Sequence, residues 1–492
     1  MGSQSHVHGS GLARLGSLAF LTAFLLASAV TAETLQKASF ALPSQAIANR
    51  ARLVTVGSSF RLTGVPLEAR SVTLALQRFE VFTPDAKVMV NGQGEPQFVA
   101  PPDRAYFRGG VEGEPDSYAF LAVGTEGDVR GLVMSQGRTF VLGADTAAPA
   151  PEDRLITRPV DESSEARQPR DWRCDADKLI PPGGAEAQQS LFESLAQESA
   201  TAAAQYSVKV SIETDYEFYS LFGSVNATAA YIGDLMGAIS TIYNRDVGTT
   251  LRINFISLWT GGAGSDPWTA TSSSDALCQV GGYWAANRPQ ATYPRAITHF
   301  LSAKGLGGGV AWLSVLCSGN FTTSFCPTGM GGGYGVSGNL AGNFNPATGS
   351  IVWDIEVVSH EIGHNFSTPH SHCYNNIPTS GLPSVDQCYG SEGGCYSGPV
   401  SLPPGGHGSI MSYCHLLSGG ITNISLSFGS PGLYGTLSER IPQVMRNYVA
   451  GLSTSCRQVI KSPAADFNGD GRSEVYIYRD GAWLLFPFWP GN

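Results

Sequence analysis

The sequence predicts an α/β protein in which a β-rich N-terminal domain precedes a domain with a mixed, mainly parallel sheet. Residues 33–143 alternate between apolar and polar side chains, as strands do, and turn signals such as Asn91-Gly92 separate the runs. From about residue 205, strand-like and helix-like patterns alternate, which favours a mainly parallel sheet covered by helices. The predicted strands are 207–212, 251–256, 296–301 and 310–316, and the predicted helices are 226–243, 275–286 and 438–452.

The alternation leads to one helix that carries a distinctive set of polar residues. His360 and His364 are four residues apart, so on a helix they lie about 40° from each other on one face. Two imidazoles so placed can share a metal ion, and Glu361 lies beside them to act on a water held by that ion. The opposite face carries an apolar stripe: Ile351, Ile355, Val358, Ile362 and Phe366. We therefore expect one face in the core and the other in a cleft.

A third histidine extends this pattern. His370 follows His364 by six residues, too far round to share the same helix face, so the chain must turn after Phe366 to bring it to the metal. A bare HExxH could belong to an amphipathic helix with two exposed histidines. The added His370, and the downstream segment Ser409–Tyr413 (SIMSY), favour a zinc site.

His360 to His370 (HEIGHNFSTPH), followed by the methionine segment, resembles the metzincin zinc proteases. The resemblance implies the metzincin fold, Zn²⁺ held by His360, His364 and His370, and Glu361 as general base. It also implies that Met411 packs under the metal. In astacin and serralysin relatives a tyrosine at the position of Tyr413 ligates zinc and stabilises the oxyanion, and a packed tyrosine is the alternative.

Two positions depart from the usual metzincin pattern. Metzincins usually carry glycine at the position of Ser367, where a positive φ suits the turn, so serine there is expected to cost energy. The residue after the third histidine is Ser371, where adamalysin-type enzymes carry aspartate and matrixins carry serine. That position leaves the subfamily open.

The N-terminal domain adds a second resemblance. The segment 106–117 (YFRGGVEGEPDS), followed by a strand at 128–133, resembles the prodomain of the ADAM and reprolysin proteases. Residues 144–204 are rich in Pro, Ala, Glu, Ser and Gln and are predicted to be a linker at the propeptide end. Cys174 lies in that stretch. Its thiolate would suit the open position of a zinc site and could act as a latency switch, or it is a thiol without a role.

Composition and cysteine usage predict a secreted protein. Arg14, the apolar run 15–30 and the small residues that end at Ala32 are typical of a signal peptide, with a membrane anchor as the alternative. Nine cysteines fit an oxidising compartment, and eight of them lie after residue 277, so four disulfides are possible in any of 105 pairings. The formal net charge of −10 and the absence of basic runs argue against nucleic acid as a partner. We expect a monomer.

The C-terminal residues 459–492 have a different character. The stretch 466–474 places oxygen ligands at alternate positions, which suits Ca²⁺, and a strand is predicted directly after it. It resembles one FG-GAP or VCBS-type repeat, and a polar turn is the alternative. The candidate calcium loop comprises Asp466, Asn468, Asp470, Arg472 and Glu474.

Together these patterns predict five segments: a signal peptide (1–32), a β-rich prodomain (33–143), a linker (144–204), a metzincin catalytic domain (205–458) and the calcium-loop segment. They indicate a zymogen of a zinc endopeptidase that binds a protein or peptide in extended form. The strand 334–337 is expected to lie at a sheet edge and to pair with that substrate.

Two alternatives stay open at this point. One is a gluzincin-type protease in which Glu392 replaces His370 as the third ligand. The other is a secreted adhesion or binding protein whose zinc site is structural. His372 is a further rival to His370, whereas His407 and His415 are expected at the surface or behind the ligands.

Overall fold

The computed structural model describes residues 44–92, 94–125, 127–144, 155–174, 176, 179–195 and 205–460, and the backbone of two strands at 475–479 and 482–486. The predicted signal peptide (1–32) and the candidate calcium loop (466–474) lie outside the described residues. The two C-terminal strands pair with each other in antiparallel fashion, and the first of them confirms the strand predicted after the calcium loop. In the part of the chain that the structure describes, no helix has the length and apolar character needed to cross a membrane.

The described residues of the N-terminal half form one α-helix and nine strands. They are α1 (Ser44–Arg52), β1 (Ser59–Leu67), β2 (Arg70–Phe79), β3 (Phe82–Asn91), β4 (Gln97–Val99), β5 (Ala105–Val111), β6 (Tyr118–Val123), β7 (Val129–Ser135), β8 (Arg138–Ala144) and β9 (Leu155–Pro159).

Seven of these strands form one sheet in the order β1-β2-β5-β6-β7-β8-β9, and every neighbouring pair in it is antiparallel. One face of the sheet is covered by the apolar side of α1, where Ile47, Ala48 and Ala51 are fully buried. The β-rich character predicted for this region is confirmed.

The second half begins with a helix and alternates strands with helices. Its elements are α2 (Gly184–Leu195), β10 (Gln205–Thr214), α3 (Tyr216–Ser220), α4 (Val225–Val247), β11 (Thr249–Trp259), α5 (Ser273–Asn287), β12 (Ile297–Leu301), β13 (Gly309–Ala311), β14 (Phe321–Thr322), β15 (Met330–Gly331), β16 (Tyr334–Ser337), α6 (Ile351–Asn365), α7 (Arg440–Gly451), β17 (Gln458–Ile460), β18 (Val475–Arg479) and β19 (Ala482–Phe486).

The main sheet of this half has the order β13-β16-β12-β10-β11-β3-β4, and β17 also pairs with β10. The pairs β12–β16, β10–β12, β10–β11 and β3–β11 are parallel, whereas β13–β16, β3–β4 and β10–β17 are antiparallel. The predicted mixed sheet with a parallel centre is therefore confirmed. The predicted strand 310–316 is wrong in length, because β13 ends at Ala311.

The sheet of the second half also includes two strands from the N-terminal half. β3 runs parallel to β11, with Val88 opposite Ile256, and the amide of Asn91 donates to Ser257 Oγ (3.0 Å) and to the carbonyl of Leu258 (3.1 Å). Alternation along a strand specifies which side chains share a face, but it does not specify the neighbouring strand. The two halves are consequently joined by backbone hydrogen bonds and one continuous apolar core.

A buried ion pair also joins the N-terminal sheet to α4. Asp234, fully buried on α4, accepts from Arg104 Nε (2.7 Å) and Arg130 Nη1 (3.1 Å). Burial raises the pKa of Asp234 to about 6, and the two guanidinium groups oppose that shift. The helix lies close to the sheet: a Cβ at Gly233 would be 2.3 Å from the hydroxyl of Tyr106.

The predicted linker contains ordered structure in its described part. β9 pairs with β8 and adds an edge to the N-terminal sheet, and α2 lies within the same stretch. Trp172 and Cys174, between these two elements, are 2% and 4% exposed. This segment is therefore packed into the protein, although its composition is that of a linker.

We predict that Asp234→Ala lowers the free energy of unfolding by roughly 3–5 kcal/mol, because it leaves two guanidinium groups without their buried partner. Urea denaturation of the full chain measures the change. The matched control is Asp103→Ala, since Asp103 is 71% exposed in its pair with Arg52 and should contribute less than about 1 kcal/mol. Equal stability of the two variants would contradict a structural role for the buried pair.

Candidate metal centre

Helix α6 positions the first part of the site. It runs from Ile351 to Asn365, and the predicted apolar stripe from Ile351 to Phe366 is confirmed as core, with every member fully buried. The hydroxyl of Tyr243 on α4 donates to the carbonyl of Ser359 (2.9 Å), which ties the two helices together one residue before the first histidine. The histidine face is also buried, because the segment that contains Trp172 and Cys174 covers it.

Four side chains converge above α6. Each of Cys174, His360, His364 and His370 offers one donor atom, and these atoms all lie within 4.8 Å of one another. The two His pairs that include His370 have ring centroids 5.2 and 4.8 Å apart. The turn that the sequence required after Phe366 does bring the third imidazole to the other two.

The Nδ1 atom of each imidazole is held by an oxygen from a different part of the chain. His360 Nδ1 lies 2.8 Å from the carbonyl oxygen of Ile410, and His364 Nδ1 lies 2.9 Å from that of Thr368. His370 Nδ1 lies 2.9 Å from a carboxylate oxygen of Glu392. These acceptors place the proton on Nδ1 and direct the lone pair of Nε2 into the cluster.

The remaining Nε2 atoms have few partners. Those of His360 and His364 are buried and make no hydrogen bond to any described residue, and that of His370 lies 3.1 Å from the hydroxyl of Tyr413. Burial lowers the pKa of His360 well below its usual range and that of His364 to about 3, so both rings are neutral. Neutral, buried imidazoles with unpartnered lone pairs are the donor set that zinc prefers.

The turn after α6 has the strained geometry that the sequence indicated. Ser367 has φ +75°, the left-handed region in which glycine is favoured. Its hydroxyl accepts a hydrogen bond from Ser314 (2.8 Å), which partly offsets the strain. The positive φ sends the chain back so that the Thr368 carbonyl reaches His364.

The methionine segment supports the site from below. Met411 is fully buried, and a Cβ added at Gly363, between the two helix histidines, would lie 2.7 Å from its sulfur atom. The Met411 carbonyl accepts from the backbone N–H (2.8 Å) and the hydroxyl (3.0 Å) of Ser371. The carbonyl of Ile410 in this segment therefore orients the ring of His360, and the carbonyl of Met411 fixes Ser371, the residue after His370.

Glu392 lies behind the cluster. It also accepts from His372 Nε2 (2.7 Å), and hydrogen bonds from His370 and His372 lower its pKa although burial opposes the shift. Two disulfides hold its loop, Cys373–Cys395 and Cys388–Cys414. The geometry thus places His370 with the helix histidines and leaves Glu392 and His372 behind it.

Glu361 points toward the same space from α6. It is fully buried, its Oε1 has no described hydrogen-bond partner, and its Oε2 lies 3.4 Å from Cys174 Sγ. Burial raises the pKa of Glu361 well above its usual range. Edge strand β13 lies against this side chain, since a Cβ at Gly309 would be 2.5 Å from Glu361 Cγ.

The side-chain hydroxyl of Tyr413 is hydrogen-bonded to the backbone of Cys174. The Tyr413 hydroxyl accepts from the Cys174 N–H (2.7 Å) and donates to its carbonyl (2.8 Å).

Cys174 is the free cysteine of the nine. The other two disulfides are Cys278–Cys326 and Cys317–Cys456, so the predicted four disulfides are confirmed.

The expectation for 334–337 is wrong. β16 is fully buried and lies between β12 and β13, so its backbone groups are already paired on both sides. The strand at that end of the sheet is β13, which follows the bend at Gly307 and Gly308, both at positive φ. The sequence identified a glycine-rich strand beside the cleft, but a two-residue period carries no information on strand order.

Several contributors to the site had no sequence signal. Trp172 contacts the ring of His360 (4.9 Å between centroids), and His415, expected at the surface or behind the ligands, is fully buried against Trp172. Both act through contacts that are more than 180 residues apart in the chain, which no local pattern encodes.

Comparison with known proteins agrees with this geometry. Residues 204–425 match the family model Reprolysin_5, Metallo-peptidase family M12. The match covers the second half from the start of β10 to just beyond the methionine segment, and it implies a zinc metallopeptidase. A search of curated proteins found no match.

Among solved structures, the crystal structure of metalloproteinase-II from Bacteroides fragilis is similar to this chain at 10% sequence identity. The alignment covers 70% of this chain and 93% of that one, with a TM-score of 0.39. At that score the likeness supports no conclusion about this chain.

Proposed function

We propose that the protein is a zinc-dependent endopeptidase that is secreted as a zymogen. The observation that carries the proposal is the convergence of three buried imidazoles, each hydrogen-bonded at Nδ1 to an oxygen, beside the buried side chain of Glu361. The four disulfides and the family match support an extracellular peptidase.

His360, His364 and His370 would hold Zn²⁺ through Nε2, and Met411 and Glu392 would keep the rings in place. When bound, zinc supplies a Lewis acid that polarises the scissile carbonyl and activates water. Glu361, whose Oε1 is unpartnered, takes a proton from the attacking water and delivers it to the leaving amine. Its burial suits this role, because a raised pKa brings a carboxylate closer to the range in which it both accepts and returns a proton.

Tyr413 supplies a hydroxyl on the other side of the cluster. It contacts the N–H and carbonyl of Cys174 and, at 3.1 Å, Nε2 of His370, so it loses the two backbone partners when that segment leaves. The hydroxyl then donates to the oxygen on which negative charge develops. An extended substrate lies along β13, beside Glu361.

Cys174 supports latency. Its sulfur belongs to the same cluster of donor atoms as the three imidazoles, so with zinc bound it would be the ligand that keeps water out. Two described contacts hold the neighbouring chain: the N–H of Leu313 donates to the carbonyl of Leu179 (3.0 Å), and the N–H of Ile421 donates to the carbonyl of Ala166 (2.9 Å). These contacts keep the thiol at the cluster in the uncut chain, and removal of the segment would free the site.

We predict that Glu361→Gln leaves zinc bound and lowers hydrolysis of a denatured protein by about 10²–10⁴-fold, because the amide cannot accept the proton of the attacking water. Metal analysis and peptidase assays with and without chelator measure both effects. Glu217→Gln, a partly exposed glutamate paired with Lys304, is the control. Unchanged hydrolysis in Glu361→Gln would remove the general base from the proposal. A zinc-loaded, unblocked wild type without hydrolysis would favour a structural site.

A second prediction separates His370 from Glu392 as the third ligand. His370→Ala should lose zinc on dialysis against a chelator, whereas Glu392→Ala should bind zinc about 10–100-fold more weakly, as expected for a group that only orients a ligand. His407→Ala, whose ring contacts Thr422, should behave as wild type. The reverse order of effects in His370→Ala and Glu392→Ala would support the gluzincin-type arrangement.

The third prediction concerns latency. In the uncut chain, Cys174→Ser should raise peptide hydrolysis at least tenfold over the wild type, because a hydroxyl is a much poorer zinc ligand than a thiolate. A quenched fluorescent peptide and gel analysis for uncut protein provide the readout. If uncut Cys174→Ser is as inactive as wild type, the thiol is not what blocks the metal.

A further inference from the structure

The side chain that fills the space beside the proposed metal site is Trp172. Its ring is 2% exposed and contacts the rings of Trp353 (5.5 Å), His360 (4.9 Å) and His415 (5.1 Å), the last in a stacked arrangement. Trp353 and His360 lie on α6, two turns apart, and His415 follows the methionine segment. The walls of this subsite therefore belong to the second half of the chain, whereas its occupant comes from the stretch before it.

The floor of the subsite has room for a large ring only because of one glycine. A Cβ at Gly308 would lie 1.2 Å from Trp172 Cδ1, and Gly308 has φ +113°, a conformation that other residues rarely adopt. Trp172 Nε1 is buried and has no described hydrogen-bond partner. The subsite thus holds the indole through shape and ring contacts, which any aromatic side chain of similar size can make.

Backbone hydrogen bonds hold the chain around Trp172, which turns just before this residue: the N–H of Trp172 donates to the carbonyl of Arg170 (2.9 Å). Trp172 and Cys174 are buried while Asp171 and Arg173 are exposed, which is the two-residue period of a strand. The N–H of Arg170 donates to the His415 carbonyl (3.3 Å), and His415 Nε2 donates to the Trp172 carbonyl (3.1 Å). With the Cys174 contacts to Tyr413, these bonds bind backbone groups that every peptide has.

The register relates the subsite to the bond that is cut. Cys174 Sγ lies at the histidine cluster, and the side chain of Trp172, two residues earlier, is buried on the same side of the segment; two residues of a substrate in strand conformation span about 7 Å. A substrate whose scissile bond takes the place of Cys174 therefore presents the side chain of a neighbouring residue to the space that Trp172 occupies.

We propose that this subsite selects substrates by an aromatic side chain, so that the enzyme cleaves within two residues of tryptophan, phenylalanine or tyrosine and Trp172 mimics that side chain in the uncut chain. The inference rests on the proposed peptidase function. It assigns Trp353, His415 and Gly308 as the residues that determine specificity.

The first test uses the full chain activated by limited proteolysis. A mixture of denatured proteins is digested, and the sequences around the cut sites are determined by mass spectrometry. Aromatic residues should be enriched at least tenfold over alanine at one position within two residues of the cut. Cleavage without that enrichment would overturn the aromatic subsite and leave the proposed function standing, whereas absence of cleavage would count against the function itself.

The second test does not depend on catalysis. Synthetic peptides of residues 168–179 with Cys174→Ser, which removes the thiol, are titrated into the activated protein by calorimetry. Trp172→Ala in the peptide should weaken binding at least tenfold, and Trp172→Phe should bind within about threefold of the parent. Asp171→Asn, at a side chain that is 85% exposed, is the matched control and should bind as the parent does. Equal binding of the Trp172→Ala and parent peptides would overturn the proposal.

A substitution in the wall of the subsite provides a third test. Gly308→Ala in the activated chain should lower kcat/KM for peptides with an aromatic residue at least tenfold relative to matched peptides with alanine, because its Cβ occupies the position of the ring. A parallel loss for both peptide series would contradict a role in specificity. If this variant fails to fold, as judged by circular dichroism, the peptide titration alone decides.

Discussion

The site depends on three hydrogen bonds that point the histidines inward. Each Nδ1 is held by an oxygen from a separate region: Ile410 in the methionine segment, Thr368 in the turn after α6, and Glu392 in a disulfide-bonded loop. Leaving buried nitrogen atoms such as His360 Nε2 without partners costs on the order of 1–3 kcal/mol each. At this cluster a metal ion would use the lone pairs and so offset that cost. The strained turn at Ser367, the packed Met411 and the two disulfides of the Glu392 loop help to keep these acceptors in position.

The N-terminal half contacts the second half in two different ways. β3 and the pair formed by Arg104 and Asp234 join the halves by strand pairing and by an ion pair whose carboxylate is fully buried. The stretch that contains Trp172 and Cys174 instead crosses the site and is held by scattered backbone bonds and ring contacts. One connection is part of the core, and the other covers the histidine cluster and Glu361. A residue pattern could not separate the two, because composition alone makes the second stretch resemble a linker.

The covering segment also explains why the whole of α6 is buried. An amphipathic helix with a polar face toward a cleft was the expectation, yet Glu361 and His360 are as inaccessible as Ile355. Cys174 meets the donor cluster, and Trp172 fills the neighbouring space over Gly308. The residues that surround Trp172 in the uncut chain would surround a substrate side chain once the segment is removed. The proposed latency and the proposed specificity therefore depend on the same surface.

Much of the local structure followed from the sequence alone. Three features could be predicted from short-range patterns because backbone geometry relates spacing to structure. They are the four-residue spacing of His360 and His364, the turn needed before His370, and the alternation of strands and helices. Only the tertiary structure decided that β3 enters the second sheet, that β16 is internal, and that Glu392 and Trp172 reach the histidines. The physical reason is that periodicity specifies which face of an element is buried. Which distant element covers that face depends on packing, strand pairing and burial summed over the whole chain.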